Sequence, residues 1–245
     1  MYLNCDLGES FGPWKMGLDE EVMPLIDQAN IACGFHASDP LTMHRTLLLA
    51  VAHDVQIGAH PAYPDLVGFG RRSMKCTEEE LKSLIWYQIG ALNCIAGTFA
   101  RAVSYVQPHG ALNNDMMRSE SLLRTVMEAV AACSDTLQLM IPVSNQWQAH
   151  QALADSLGID IILEAFADRA YTDEGLLVPR SEPDSVHHDE ATIVAQARSF
   201  AERGGIESIN GQWLELPARS LCVHGDNPES VQAVRAIRHA LDQAS

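Results

Sequence analysis

The chain has 245 residues, 47% hydrophobic and 20% charged, which suits one large α/β domain, since β/α barrels commonly run to about 200–250 residues as a unit. A formal net charge of −16, with lysine only at Lys15, Lys75 and Lys82, argues against nucleic acid as a ligand, because phosphate binding needs clustered Lys and Arg. The six cysteines are scattered without a C-x-x-C pair, and no basic segment precedes an apolar run near Met1, so a reducing cytoplasm is the expected setting.

Residues 2–6 read as a short buried strand that turns polar within one residue, placing Asp6, Glu9 and Ser10 around Gly8. Six further apolar, β-branched or Cys-containing runs follow, at 29–33, 55–60, 102–108, 137–143, 159–164 and 220–224. Helix-length segments separate them. Residues 40–53 carry Leu41, Leu48, Leu49 and Ala52, and Thr77 with Glu80 forms a capping-box signature opening a helix through Leu81, Leu84, Ile85 and Ile89. The stretch 84–100 is the most apolar, yet with Gln88, Asn93 and two glycines it reads as a buried helix, not a membrane span. Residues 122–132 and 146–157 look helical, the second closed by Gly158, and 188–203 ends at Gly204-Gly205. Residues 206–216, centred on Asn210-Gly211, read as a β-hairpin outside the main sheet. The last helix opens with Asn227 and Pro228 and runs to about Gln243.

Seven continuous apolar strands alternating with helices predict a mainly parallel sheet buried on both faces, closing more naturally as a barrel than as an open sheet. No repeat or linker interrupts the chain, so a single domain over 1–245 is expected.

The polar residues collect at the strand ends. The second strand is followed by His36 and Asp39, the third by His60, Asp65, Arg71 and Arg72, and the fourth by Gln107-Pro108-His109-Gly110. The sixth ends in Glu164, then Asp168-Arg169, and the seventh in His224-Gly225-Asp226. In parallel α/β folds these ends share one mouth where ligands bind. A lone strand-end His is more often a packing residue, but four of them (His36, His60, His109, His224) beside Gly or Pro suggest acid–base chemistry near neutral pH. The same His and Asp set could hold a divalent metal, with Asp6, His36 and His60 as ligands, although no H-E-x-x-H spacing is present. Arg71, Arg72, Arg169 and Arg180 lie in two long polar loops, where an Arg could clamp a small acidic substrate or pair with Asp65, Asp168 or Asp173. No phosphate-binding G-x-x-x-x-G-K-[ST], no G-x-G-x-x-G after a strand and no G-x-S-x-G is present.

The segments NCDLGE (4–9), NIACGFHASDP (30–40), IGAHPAYPDLVGFGRR (57–72), PHGALNN (108–114), FADRAY (166–171), LVPR (177–180) and CVHGD (222–226) resemble the lactam-utilisation protein B (LamB/YcsF) family. The motifs keep the family's order along essentially the whole chain. Ser38, Gln107 and Asn113 stand where Gly, Lys and Tyr are usual. The resemblance implies a seven-stranded parallel β/α barrel like that of the glycoside hydrolase/deacetylase superfamily. It also implies ATP-dependent opening of 5-oxo-L-proline to L-glutamate, a 5-oxoprolinase activity carried out with separate B and C subunits.

The expected site then comprises Asp6, His36, His60, His109, His224 and Asp226 as reacting groups, with Glu9, Asp39, Arg71, Arg72, Asp168, Arg169 and Arg180 around the substrate. Asp6 or Asp226 with His109 or His224 would activate water, ATP would be consumed by the complex, and a divalent metal and a homo-oligomer stay open. Two rival readings remain: a stand-alone metal-dependent amidohydrolase or deacetylase, and a non-catalytic subunit that delivers substrate.

Overall fold

A computed structural model describes residues 1–179, 182–225 and 227–244. In chain order the elements are β1 (Tyr2–Leu7), α1 (Asp19–Val22), β2 (Gln28–Ala32), α2 (Pro40–Ala52), β3 (Gln56–His60), α3 (Glu78–Gly97) and β4 (Tyr105–Val106). They continue with α4 (Gly110–Arg118), α5 (Glu120–Ala131), β5 (Gln138–Pro142), α6 (Trp147–Leu157), β6 (Ile161–Phe166) and α7 (Glu190–Arg198). The chain closes with β7 (Gly205–Glu207), β8 (Trp213–Glu215), β9 (Ser220–Val223) and α8 (Pro228–Ala244). Strands β1, β2, β3, β4, β5, β6 and β9 form a closed parallel barrel, with β9 pairing back onto β1. All seven expected strands are in it.

The β3–β4 ladder covers only two residue pairs, Gly58 with Tyr105 and Ala59 with Val106. The two chains still run together: Ser104, Gln107 and His109 donate their backbone N–H to the carbonyls of Ile57, Ala59 and Pro61. The antiparallel β7–β8 hairpin stands outside the barrel as expected, with Gly211 at φ +79° in its turn. A Cβ on Gly205 would lie 2.1 Å from the Leu214 carbonyl oxygen, so only glycine fits there.

Local chemistry explains the helix ends. Thr77 Oγ1 accepts from the Glu80 N–H at 3.2 Å while Glu80 answers at the Thr77 N–H at 2.7 Å, the reciprocal pair of a capping box. Gly158 at φ +67° closes α6, and Asn227 Oδ1 accepts the Ser230 N–H at the start of α8. Two helices were not anticipated, α1 and α4. The α4 stretch carries Asn113, Asn114 and Asp115 and buries only Ala111, Leu112 and Met116, too narrow an apolar face to show as a period. The stretch expected to be helical over 188–203 divides into α7 and a five-residue π turn, Ser199–Arg203, ended by Gly204 at φ +68°.

Because alternate residues of a strand share a face, β1 and β2 turn Asn4, Asp6, Gln28 and Asn30 to the barrel interior. There Asn4 Nδ2 donates to Ser220 Oγ (2.8 Å), Asn30 Nδ2 to Asn4 Oδ1 (2.8 Å) and Tyr105 OH to Asn30 Oδ1 (2.7 Å). A Cβ on Gly58 would sit 2.1 Å from the Tyr105 ring, so glycine on β3 makes room for that tyrosine. The apolar core lies outside this polar axis, between the strands and the helices that cover them. Among the described residues no helix is long and apolar enough to cross a membrane.

Candidate active site

The carboxyl ends of the strands aim a cluster of titratable groups into one cavity of about 1470 Å³. At the end of β1, Asp6 precedes Gly8, whose φ of +71° turns the chain; the Gly8 N–H donates to Asp19 Oδ2 at 2.9 Å, which anchors the turn carrying Glu9. After β2, a turn through Gly34 (φ +93°) and Ser38 (φ +76°) seats His36. His60 ends β3. His109 leaves β4 between Pro108 and Gly110, where φ is +55° and a Cβ would meet the Gly70 carbonyl oxygen at 2.6 Å. The 61–76 loop therefore lies directly on the histidines.

The hydrogen bonds fix the two central imidazoles. His60 Nδ1–H donates to the Gln107 carbonyl at 2.7 Å, and His109 Nε2–H donates to the Phe69 carbonyl at 2.9 Å. Their other nitrogens, His60 Nε2 and His109 Nδ1, then face each other at 2.8 Å. Both would carry lone pairs if both rings were neutral, so one proton has to sit between them. Asp6 Oδ2 lies 3.3 Å from His60 Nε2 and supports it there. Burial pushes the His60 pKa down, but the charge and hydrogen bond of Asp6, then Glu9, outweigh it and raise the value to about 9. Burial and then the charge on His60 push His109 down to about 3. The pair thus carries one proton, on His60. Burial opposes ionisation of Asp6, yet His60 and then His109 hold its carboxyl well below the usual range.

His36 stacks on His109 with ring centroids 3.9 Å apart and places Nε2 3.2 Å from Glu9 Oε1. Burial holds it neutral, well below its ordinary pKa. Glu9, His36, His60 and His109 each offer a ligand atom, and these atoms lie within 4.8 Å of one another. This group keeps His36 and His60 of the expected ligand set and adds Glu9 and His109, while Asp6 stands 3.3 Å from His60 Nε2. The donors fit a cation in place of the shared proton: with that proton displaced, the lone pairs of His60 and His109 converge, and the carbonyls of Gln107 and Phe69 orient both rings from behind.

A second pair borders the same cavity. His224, just past β9, lies with Nδ1 2.9 Å from Asp168 Oδ2, just past β6. Asp6, Glu9, His60, His109, Arg71 and Asp168 all line the wall. His36 does not; it is 1% exposed and backs the others.

Three expected substrate contacts have other duties. Asp39 caps α2, accepting from the N–H groups of Leu41 (2.9 Å), Thr42 (3.1 Å) and Gly12 (2.8 Å), and is not part of the cavity wall. Arg72 is paired with Asp65, Nε to Oδ2 at 2.9 Å, and pins the loop. Arg169 reaches the wall, but its guanidinium donates to the carbonyls of Ser185 (3.1 Å) and Val178 (2.6 Å), an adhesive between loop segments. Among the described residues Arg71 is a loop arginine on the cavity wall with no ion pair shown, its guanidinium 5.2 Å from the Phe69 ring centroid. Arg180 and Asp226 lie outside the described residues.

Reading strand ends alone left no role for Glu164 and Gln107. Glu164 is fully buried within β6, and Gln107 Nε2 is 3.1 Å from each of its carboxylate oxygens. A carboxylate inside the otherwise apolar run IILEAF was the available signal. Asn113 and Arg118, on a helix not anticipated, also border the cavity.

A closed parallel barrel with paired acid–base groups at the carboxyl ends of its strands defines the class: a β/α barrel whose chemistry sits in the mouth. The LamB/YcsF family model matches residues 1–245, and the chain belongs to that family. It is 58% identical over 242 residues to a Pseudomonas putida protein named as the second A subunit of 5-oxoprolinase, covering 99% of this chain and 94% of that relative. It is 56% identical over 240 residues to the 5-oxoprolinase A subunit of Chromohalobacter salexigens, covering 98% and 96%. The crystal structure of the lactam utilization protein from Thermus thermophilus superposes with a TM-score of 0.92 at 38% identity, covering 100% of this chain and 96% of that one.

Proposed function

We propose that the chain is the A subunit of an ATP-dependent 5-oxoprolinase, opening 5-oxo-L-proline to L-glutamate together with separate B and C subunits. The observation that carries the reading is the one-proton His60–His109 pair held by Asp6 on a cavity wall, in a chain 58% identical to a relative named as such a subunit. The sequence lacks a phosphate-binding loop, so phosphorylation of the lactam oxygen by ATP falls to the partners and this chain receives the activated ring.

Ring opening needs a base for water and an acid for the departing nitrogen. His224, turned by Asp168, takes a proton from water as its oxygen bonds to the ring carbonyl carbon. The ring C–N bond then breaks, the proton held by His60 and His109 passes to the nitrogen, and a second water cleaves the resulting acyl phosphate to the side-chain carboxylate of glutamate and inorganic phosphate. Asp6 stabilises the charge on His60 before transfer, and Arg71 takes the substrate carboxylate through its paired N–H donors. The cytoplasm, where ATP is available, is the setting this chemistry calls for, and self-association is a further open feature of the assembly.

The test is reconstitution. The chain mixed with the products of adjacent B and C subunit genes should convert 5-oxoproline to glutamate with ATP consumption; turnover with no need for this chain would overturn the reading.

The convergence of Glu9, His36, His60 and His109 favours a second reading, a metal-dependent amidohydrolase. Those four residues would hold the ion, which would polarise the amide carbonyl and acidify a bound water. Metal analysis of the purified chain, with lactam hydrolysis without ATP measured before and after chelation, separates the two.

A further inference from the structure

Glu164 is a carboxyl group that the ring-opening steps do not use. It is fully buried on β6, beneath the cavity floor formed by Gln107. No fixed cation touches it among the described residues: its hydrogen-bond donors are the amides of Gln107 and Asn4. The ionisable groups facing it are Asp6 on β1, His60 on β3, Tyr105 on β4, Cys222 on β9 and Tyr171 beyond β6. Of these only His60 favours the carboxylate, and Asp6 opposes it.

The clamp has a loose end. Gln107 Nε2 reaches both Glu164 oxygens, while Gln107 Oε1 is buried with no hydrogen-bond partner. Leaving a buried carbonyl unpaired is unfavourable, because it has lost its water without gaining a donor. A half-turn of the amide exchanges its nitrogen and oxygen. After that turn, a protonated Glu164 donates its O–H to Oε1, and the amide N–H groups take the place where Oε1 stood.

We propose that Glu164 is a positioning residue with two states, a carboxylate accepting from Gln107 Nε2 and a carboxylic acid donating to the turned Gln107 Oε1, and that the change resets the charge felt by Asp6. The proton comes from and returns to the cavity, which Gln107 borders. The route to Asp6 is short and runs through buried side chains: Asn4 contacts Glu164, Asn30 Nδ2 donates to Asn4 Oδ1 at 2.8 Å, and the same Nδ2 donates to Asp6 Oδ1 at 2.9 Å. Gln107 also carries the carbonyl that fixes His60 Nδ1, so a turn of its side chain lies one residue's length from the reacting pair. Burial, then the charge of Asp6, raises the Glu164 pKa to about 7 against the opposing amides, so both states are populated near neutrality.

Infrared difference spectra of the full-length chain test this without any turnover. Wild type should show a carboxylic-acid carbonyl stretch that disappears with a midpoint at about pH 7. That band should be missing from Glu164→Gln. Gln107→Leu, which removes the amide donor to the carboxylate, should move the midpoint up by about one unit or more. Gln107→Lys, which adds a cation, should move it down. A wild-type chain without the band above about pH 5.5, a band unchanged in Glu164→Gln, or a midpoint indifferent to both Gln107 variants would overturn the proposal. The consequence for Asp6 rests on the oxoprolinase reading. The titration does not, so a failed titration leaves that reading standing and a failed reconstitution leaves the titration readable.

Discussion

The Phe69 carbonyl oxygen accepts the Nε2–H of His109 at 2.9 Å, and that single contact decides which nitrogen of His109 faces His60. Phe69 is itself held in the left-handed region, at φ +53°, by a loop that Arg72 and Asp65 tie together. A surface loop thus sets a proton position in the mouth of the barrel.

His109→Asn keeps polarity and approximate size but removes the nitrogen that shares the proton of His60. In the reconstituted complex kcat should fall on the scale of general acid–base catalysis, about 10²–10⁴-fold. Steady-state kinetics with circular dichroism of the variant checks this. Wild-type turnover would reduce His109 to packing, and so would loss of fold.

Gly70→Ala tests the loop. Gly70 sits at φ +64°, and a Cβ there would lie 2.8 Å from His36 Cβ and 2.9 Å from His109 Cδ2. The left-handed backbone costs an alanine about 1–2 kcal/mol, whereas displacement of the imidazoles by about 1 Å can cost about 10²-fold in rate. Turnover should therefore fall much further than the midpoint of thermal unfolding, compared on the same preparation.

Asp39→Ala should weaken the fold without touching chemistry. The carboxylate caps α2 and holds the Gly12 N–H of the β1 exit, so removal should cost about 0.5–2 kcal/mol in urea unfolding. A drop in kcat at temperatures where the variant stays folded would return Asp39 to the substrate site.

Glu164 makes stability depend on pH. Its pKa rises from an ordinary 4.5 to about 7 on folding, so between those values the folded chain holds a proton that the unfolded chain has lost. Stability from this group therefore falls as pH rises from 4.5 to about 7 and is level above, by at most about 3 kcal/mol. Glu164→Gln should flatten that slope and gain on wild type as pH rises. Parallel slopes for the two proteins in unfolding series at several pH values would contradict it.

The isolated chain should neither hydrolyse ATP nor open 5-oxoproline at an appreciable rate. Coupled phosphate-release and glutamate assays on the highly purified chain check both, and clear ATP turnover would reveal a nucleotide site that no sequence motif marks.

The sequence by itself determined the seven strands and their alternation with helices; closure into a barrel is a fact of the tertiary structure. Seven apolar runs of strand length, the Thr77–Glu80 capping box, Gly158 and the Asn210-Gly211 turn are local signals, each readable from a few neighbouring residues, and the structure carries all of them. It also determined that His36, His60, His109 and His224 follow strands, hence share one end of a parallel sheet. What it could not contain is which atoms meet. Arg71 and Arg72 are adjacent and chemically alike, yet one borders the cavity and the other ties Asp65, a division set by the fold of a long loop. Asp39 looked like a site residue until α2 placed two N–H groups against it. The shared proton of His60 and His109 depends on two backbone carbonyls, at Gln107 and Phe69, and a carbonyl is common to every residue and leaves no mark in a sequence. The raised pKa of Glu164 is likewise a product of packing, because only barrel closure brings a carboxyl from β6 near Asp6 of β1 and removes the water that would have separated their charges.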